Sequence, residues 1–209
     1  VARRGVVIAT GTRPVVPPVP GLARVPYWTN REAVAAKQAP DSLLVLGGGT
    51  VGLEFAQVFA RFGSQVTVVE TRDRLLAGEE PEASEVIADV LRREGVTLRL
   101  GARATGARLE DGGIALGLAE EELLGQRLLV ATGRRAYLDE LGVAALGLDP
   151  RAPALEVDGR MRAAPGVWAV GDVTGRGLFT HVAVYQANLA ADAILGRQRP
   201  EADYRAMPR

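Results

Sequence analysis

The run "LLVLGGGTVGLEFAQVFARFGSQVTVVE", residues 43–70, constrains the fold of this chain more than any other stretch. Four apolar residues lead into three glycines, a helix-patterned run follows, and a second apolar run ends in an acid. An unalternating apolar strand suits a parallel sheet covered on both faces, and Val51, Phe55, Val58, Phe59 and Phe62 recur at helical spacing. Gly47, Gly49 and Gly52 spell G-x-G-x-x-G in the turn between strand and helix. The first glycine permits the tight turn, the second admits a pyrophosphate to the backbone, and the third lets helix and strand pack closely. The helix N-terminus adds amide donors and a positive dipole for phosphate.

Gly47, Gly48, Gly49, Thr50, Val51 and Gly52 are therefore candidates for a dinucleotide site. Glu70 ends the second strand, where a carboxylate accepts hydrogen bonds from both adenine-ribose hydroxyls and opposes a 2′-phosphate, favouring NAD over NADP. Arg72 and Arg74 follow and offer the opposite charge. The plainer reading of Glu70 is a solvated strand-end acid. For Glu54, read as lying in the first helical turn, it is compensation of the helix dipole.

The flanks extend the pattern. Residues 5–9 read as a buried strand, followed by a connector stiffened by five prolines from Pro14 to Pro26. Thr29 and Glu32 have capping-box spacing before a short helix. Pro81 opens a second helix, with glutamates at its start, arginines at its end and Gly95 closing it. Residues 96–100 form the next strand, completing half of a doubly wound fold. Asp111-Gly112 then signals an antiparallel hairpin, and "RLLVATG" is another buried strand. After Asp149 a further unit begins, with strands near residues 155–157 and 167–170 and a helix from about Val182 to Leu195.

Composition removes other classes. Basic and acidic residues number 25 each, so net charge points to neither nucleic acid nor an anionic membrane. No apolar run reaches membrane-span length, and a soluble, cytoplasmic protein is expected. The chain has no cysteine, which excludes a disulfide, a thiolate metal site and a cysteine nucleophile within it, and its single histidine, His181, makes a histidine metal site untenable.

Three landmarks stand in order: "ATGTRP" at residues 9–14, "GGGTVGLE" at 47–54 and "GVWAVGD" at 166–172, with a second "ATG" at 131–133. This order resembles the FAD- and NAD(P)-dependent pyridine nucleotide-disulfide oxidoreductases, the group of dihydrolipoamide dehydrogenase and mercuric reductase. The resemblance implies an α/β architecture: a doubly wound Rossmann-like NAD domain with an antiparallel β-meander, residues 29–149, inserted in a partial FAD domain, residues 1–28 and 150–209. It places Thr10, Gly11 and Thr12 beside FAD and Glu54 near the nicotinamide. Ala104 and Gly133 come against the two ends of NAD, and Asp172 meets a ribityl hydroxyl of FAD. Leu178, Phe179, Thr180 and His181 lead into a helix whose N-terminus faces the flavin pyrimidine ring. His181 by itself reads as a helix-start residue making one local hydrogen bond.

The same resemblance implies an internal fragment of a larger flavoenzyme, one lacking the family's N-terminal FAD-pyrophosphate loop, its redox cysteine pair and its C-terminal dimerisation domain. The parent is then a homodimer moving hydride between NADH and FAD, and onward to a disulfide or other small-molecule acceptor. A flavin reductase or NADH oxidase without the cysteine pair is the alternative enzyme, and a nucleotide-binding module without turnover the alternative for this chain alone.

Overall fold

The computed structural model describes residues 2–208, which divide into two compact units: residues 2–13 with 134–208, and residues 14–133. Strand β1 (Val6–Ile8) comes first, and β2 (Arg13–Pro14) marks the passage into the second unit. There follow α1 (Asn30–Ala35), β3 (Ser42–Leu46), α2 (Thr50–Arg61), β4 (Gln65–Val69), α3 (Pro81–Arg93) and β5 (Thr97–Arg99). Strands β6 (Gly106–Glu110), β7 (Gly113–Gly117), β8 (Glu122–Gly125) and β9 (Arg127–Val130) complete that unit. The chain returns through β10 (Arg134–Arg135) to β11 (Arg162–Ala164), β12 (Val167–Ala169) and α4 (Thr180–Ile194).

The second unit is built on a parallel sheet of order β5-β4-β3-β9. Alternation along β3 explains its unbroken apolar sequence. Leu43 and Val45 face Ala56, Phe59 and Leu91 of the helices, while Leu44 and Leu46 face Ile114 and Leu116 of the meander β6-β7-β8. Both faces are buried, so neither row can be polar. The face opposite the helices is thus covered by antiparallel strands. Leu22 and Val25 of the proline connector are buried in the same core, and Trp28 bridges to Leu129. The packing boundary on this side falls at 13/14. At the far end it falls at 133/134.

The local signals take the expected forms. Thr29 Oγ1 accepts from the Arg31 N–H at 3.2 Å while the Thr29 N–H donates to Glu32 at 2.7 Å, closing the capping box on α1. Pro81 sits at the start of α3, with Arg92 and Arg93 in its last turn.

The first unit differs in detail from the sequence pattern. Its sheet has the order β1-β12-β11, with β1 parallel to β12. Because β1 is at the edge, Val6 and Val7 are 46% and 48% exposed, where a buried strand was expected. Residues 155–157 are not a strand: Leu155 and Val157 are buried, but Leu155 makes a single backbone bond, to Val173. The third strand is β11, antiparallel to β12 across a bulge. Helix α4 starts at Thr180, two residues before the expected Val182, so Thr180 and His181 are helical, with Phe179 as N-cap.

Candidate dinucleotide-binding site

All four strands of the larger sheet run parallel, so their carboxyl ends share one edge. Ligands of open α/β sheets bind at that edge. Here it carries the glycine loop after β3, Glu70 after β4, the segment containing Ala104 after β5, and Gly133 after β9. Backbone bonds tie these turns together: Gly47 N–H to Val69 O at 2.8 Å, Glu70 N–H to Arg99 O at 2.9 Å, and Ala131 N–H to Leu46 O at 2.8 Å.

Each glycine of the fingerprint has a distinct environment. Gly47 takes φ +117°, and a Cβ there would strike the Ala131 backbone. Gly52 lies in the first turn of α2, where a Cβ would strike the Gly47 carbonyl. Gly49 differs from both. Its φ is −85°, and no protein atom lies within 4 Å of where its Cβ would be. Gly47 and Gly52 are therefore demanded by the protein's own packing, whereas Gly49 faces open space at the N-terminus of α2. No side chain caps that terminus, so its first amides remain for water or an anion. Thr50 is exposed and Val51 half-buried on the same turn.

Glu70 is not a free strand-end acid. Its Oε2 accepts from the Gly48 N–H at 2.6 Å, and its Oε1 from the Arg72 N–H at 2.9 Å and the Thr71 hydroxyl at 3.1 Å. The Arg74 guanidinium is engaged within its own loop, donating to the carbonyls of Ala77 and Glu79 and to Ser84 Oγ. That leaves Arg72 as the exposed cation beside Glu70. Glu54 is the fifth residue of α2, beyond the first turn, and is exposed. Dipole compensation is accordingly weakened as its role, since that effect fades within one turn. Ala104 is 9% exposed, its side chain packed in the core with Leu46 and Val69, so any contact it makes is through the backbone. Gly133 takes φ +135° with nothing near its Cβ position.

A second cluster forms in the other unit. Strands β1 and β12 are parallel and in register, Ile8 opposite Ala169, so Thr10, Gly11 and Thr12 leave the same sheet edge as Asp172. Asp172 is half-buried and its carboxylate takes no hydrogen bond among the described residues. Thr12 is held by Arg134, which donates to its Oγ1 at 2.9 Å and its carbonyl at 2.7 Å. Leu178 and Phe179 are exposed ahead of α4. His181 stacks on Phe179, and its Nε2 pairs with the Pro208 carbonyl at 2.9 Å. That partner is 27 residues away, not a local one as expected.

Two residues of this cluster escaped the sequence reading. Arg134 is one, and it carried no signal. Gln186 is the other: it is completely buried, accepting from the Gly171 N–H at 2.6 Å and donating to Arg176 O and Tyr204 Oη. Its signal was legible, a polar residue on the stripe Val182, Gln186, Leu189, Ala190 that α4 buries.

A parallel sheet with a glycine loop, an open helix N-terminus and a strand-end carboxylate defines a Rossmann-type fold. The chain belongs to the pyridine nucleotide-disulphide oxidoreductase family, whose pattern it matches over residues 2–187. Over 208 residues it is 39% identical to the mercuric reductase of Streptomyces lividans, covering 97% of this chain and 44% of that protein. It is 36% identical to the dihydrolipoyl dehydrogenase of Chlorobaculum tepidum, covering 93% of this chain and 43% of the other. Among solved structures, the HOCl-induced flavoprotein disulfide reductase RclA of Escherichia coli superposes with a TM-score of 0.88 at 32% identity, covering 94% of this chain and 46% of that one. LpdA of Mycobacterium tuberculosis gives 0.86 at 29%, covering 96% and 44%. The chain thus spans less than half the length of these relatives. No helix among the described residues is long and apolar enough to cross a membrane, and no group of three or more acidic or histidine side chains among them suits a metal ion.

Proposed function

We propose that this chain binds NAD in its second unit and belongs to a flavoenzyme that moves hydride between the nicotinamide and FAD, and onward to a disulfide or related small-molecule acceptor. One observation carries the binding assignment: Gly49 is the fingerprint glycine that no protein contact requires, and it lies open at an uncapped helix N-terminus beside Glu70. A pyrophosphate at that terminus gains amide donors and the helix dipole. Glu70 has an acceptor position left for a ribose hydroxyl, and its charge opposes a 2′-phosphate. With Arg74 spent on its own loop, one of the two cations that follow Glu70 is withdrawn from a 2′-phosphate, which supports NAD over NADP. Glu54, on the exposed side of α2, is assigned to the nicotinamide end, and the backbone of Ala104 and Gly133 to the flanks of the cofactor.

The residues of the first unit fit the ribityl and ring portions of FAD. Asp172 has a free half-buried carboxylate, Thr10 and Gly11 leave the same sheet edge, and the N-terminus of α4 has no side-chain cap. When bound, FAD supplies the hydride-accepting chemistry; the protein supplies position and electrostatics. Without a cysteine, these 209 residues alone are a dinucleotide-binding module and not a disulfide reductase. Calorimetric titration of the chain with NADH and NADPH tests the assignment. Tighter NADH binding is expected; tighter NADPH binding refutes the preference, and binding of neither refutes the site.

A further inference from the structure

The fingerprint G-x-G-x-x-G leaves its second position unspecified, yet here that position is clamped on every side. Gly48 is buried. Its N–H donates to Glu70 Oε2 at 2.6 Å, and its carbonyl accepts from the Leu76 N–H at 2.9 Å. A Cβ on Gly48 would lie 2.8 Å from Leu75 Cδ2 and 3.1 Å from Glu70 Cβ and Cγ. Leu75 is 1% exposed, so it has no room to yield.

The clamp is itself supported. Leu76 adopts φ +45°, a left-handed conformation that a leucine holds only when its surroundings impose it. They do: Arg74 gathers the carbonyls of Leu76, Ala77 and Glu79 with the Ser84 hydroxyl, and that hydroxyl donates to the Leu75 carbonyl. Residues 70–79 therefore form a brace whose two contact points on the glycine loop are the amide and the carbonyl of Gly48.

We propose that Glu70 is a positioning residue for the glycine loop, shaping the phosphate cradle through the Gly48 amide in addition to meeting the ribose; this rests on the loop being a dinucleotide site. A carboxylate has about four acceptor positions, and those not used by Gly48, Thr71 and Arg72 remain for a hydroxyl. The two roles predict opposite results. If Glu70 is only a charge filter, removing it relieves repulsion and NADPH binds better. If it pins the loop, removing it disorders the cradle that both cofactors share, and both bind worse.

The test uses the 209-residue chain unmutated and as Glu70→Ala and Glu70→Gln, with Gly48 amide exchange read by NMR and both cofactors titrated by calorimetry. In Glu70→Ala the Gly48 amide should exchange about tenfold faster or more, and affinity for NADH and NADPH alike should fall about tenfold or more, the scale of one charge-assisted hydrogen bond. Glu70→Gln keeps a side-chain carbonyl for Gly48 and should rescue slow exchange, while narrowing the gap between the cofactors. Unchanged exchange in Glu70→Ala, or NADPH bound more tightly by Glu70→Ala than by the unmutated chain, overturns the proposal. If Glu70→Ala does not fold, Glu70→Gln decides: exchange near the unmutated rate supports the pin, and exchange accelerated about tenfold overturns it. Should the unmutated chain bind neither cofactor, the functional reading falls, and the exchange data alone still decide whether Glu70 holds the loop.

Discussion

At the scale of single residues, the glycine loop separates what packing demands from what a ligand demands. Gly49→Val adds a side chain where no protein atom lies within 4 Å, at a φ of −85° that valine tolerates. The fold should therefore survive, with an unchanged circular dichroism spectrum, while NADH binding vanishes from calorimetric titration. Gly52→Ala should do the reverse in order of severity, destabilising the unit because its Cβ would strike the Gly47 carbonyl inside the first turn of α2. Retained NADH affinity in Gly49→Val would count against the assigned phosphate position. Gln186 presents the complementary case in the other unit. Gln186→Leu has nearly the right volume but leaves the Gly171 N–H and the Arg176 carbonyl without their partner. A buried unsatisfied group costs about 1–3 kcal/mol, so urea unfolding should show a loss of about 2 kcal/mol or more. The same variant should also speed exchange of the Gly171 amide next to Asp172.

At the scale of elements, α1 is a helix of six residues, too short to persist on propensity alone, and its capping box carries much of its definition. Thr29→Ala should cost about 1 kcal/mol in denaturant unfolding near neutral pH. The loss should depend on pH. Hydrogen bonds from the Thr29 hydroxyl and backbone N–H hold the Glu32 carboxyl below the ordinary glutamate value. A carboxylate whose folded pKa is lowered adds stability above its unfolded value and gives it up as pH falls through the folded one. The stability difference between Thr29→Ala and the unmutated chain should therefore shrink below about pH 4, the ordinary glutamate range. A difference constant from neutral pH to acid would show that the bond from the Thr29 hydroxyl to Glu32 contributes nothing.

At the scale of the molecule, the two units are unequally equipped for nucleotides. The chain contains one G-x-G-x-x-G, at residues 47–52, and it serves the second unit. The first unit offers Asp172, the segment after β1 and the start of α4, which the proposed function assigns to the ribityl and ring portions of FAD and not to its concentrated pyrophosphate charge. That charge calls for a cradle of backbone amides. Purified by itself, the 209-residue chain should be folded and colourless, with no flavin absorbance and no NADH oxidation. A yellow preparation that releases FAD on denaturation would require a second pyrophosphate site that this assignment does not contain.

The elements around the glycine loop were legible in the sequence because their signals are local. The run of residues 43–46, the helical spacing from Val51 to Phe62, the capping pair Thr29 and Glu32, Pro81 at a helix start and the Asp111-Gly112 turn each act through neighbours a few residues away. The proposed dinucleotide site rests on a signal of the same local kind, a glycine loop between a parallel strand and a helix. What the sequence could not determine depends on contacts between distant segments. Val6 and Val7 look like buried strand residues, and only the sheet order decides that β1 is an edge. Leu155 and Val157 alternate as in a strand, but the place beside β12 is taken by β11. The proline connector reads as a linker until the burial of Leu22 and Val25 assigns it to the second unit. Glu70 and Gly48 stand 22 residues apart, and nothing in either local pattern announces that one carboxylate oxygen holds the amide of the other. Periodicity reports which way a side chain points; only the folded chain determines what waits there, because burial and pairing are properties of two segments at once.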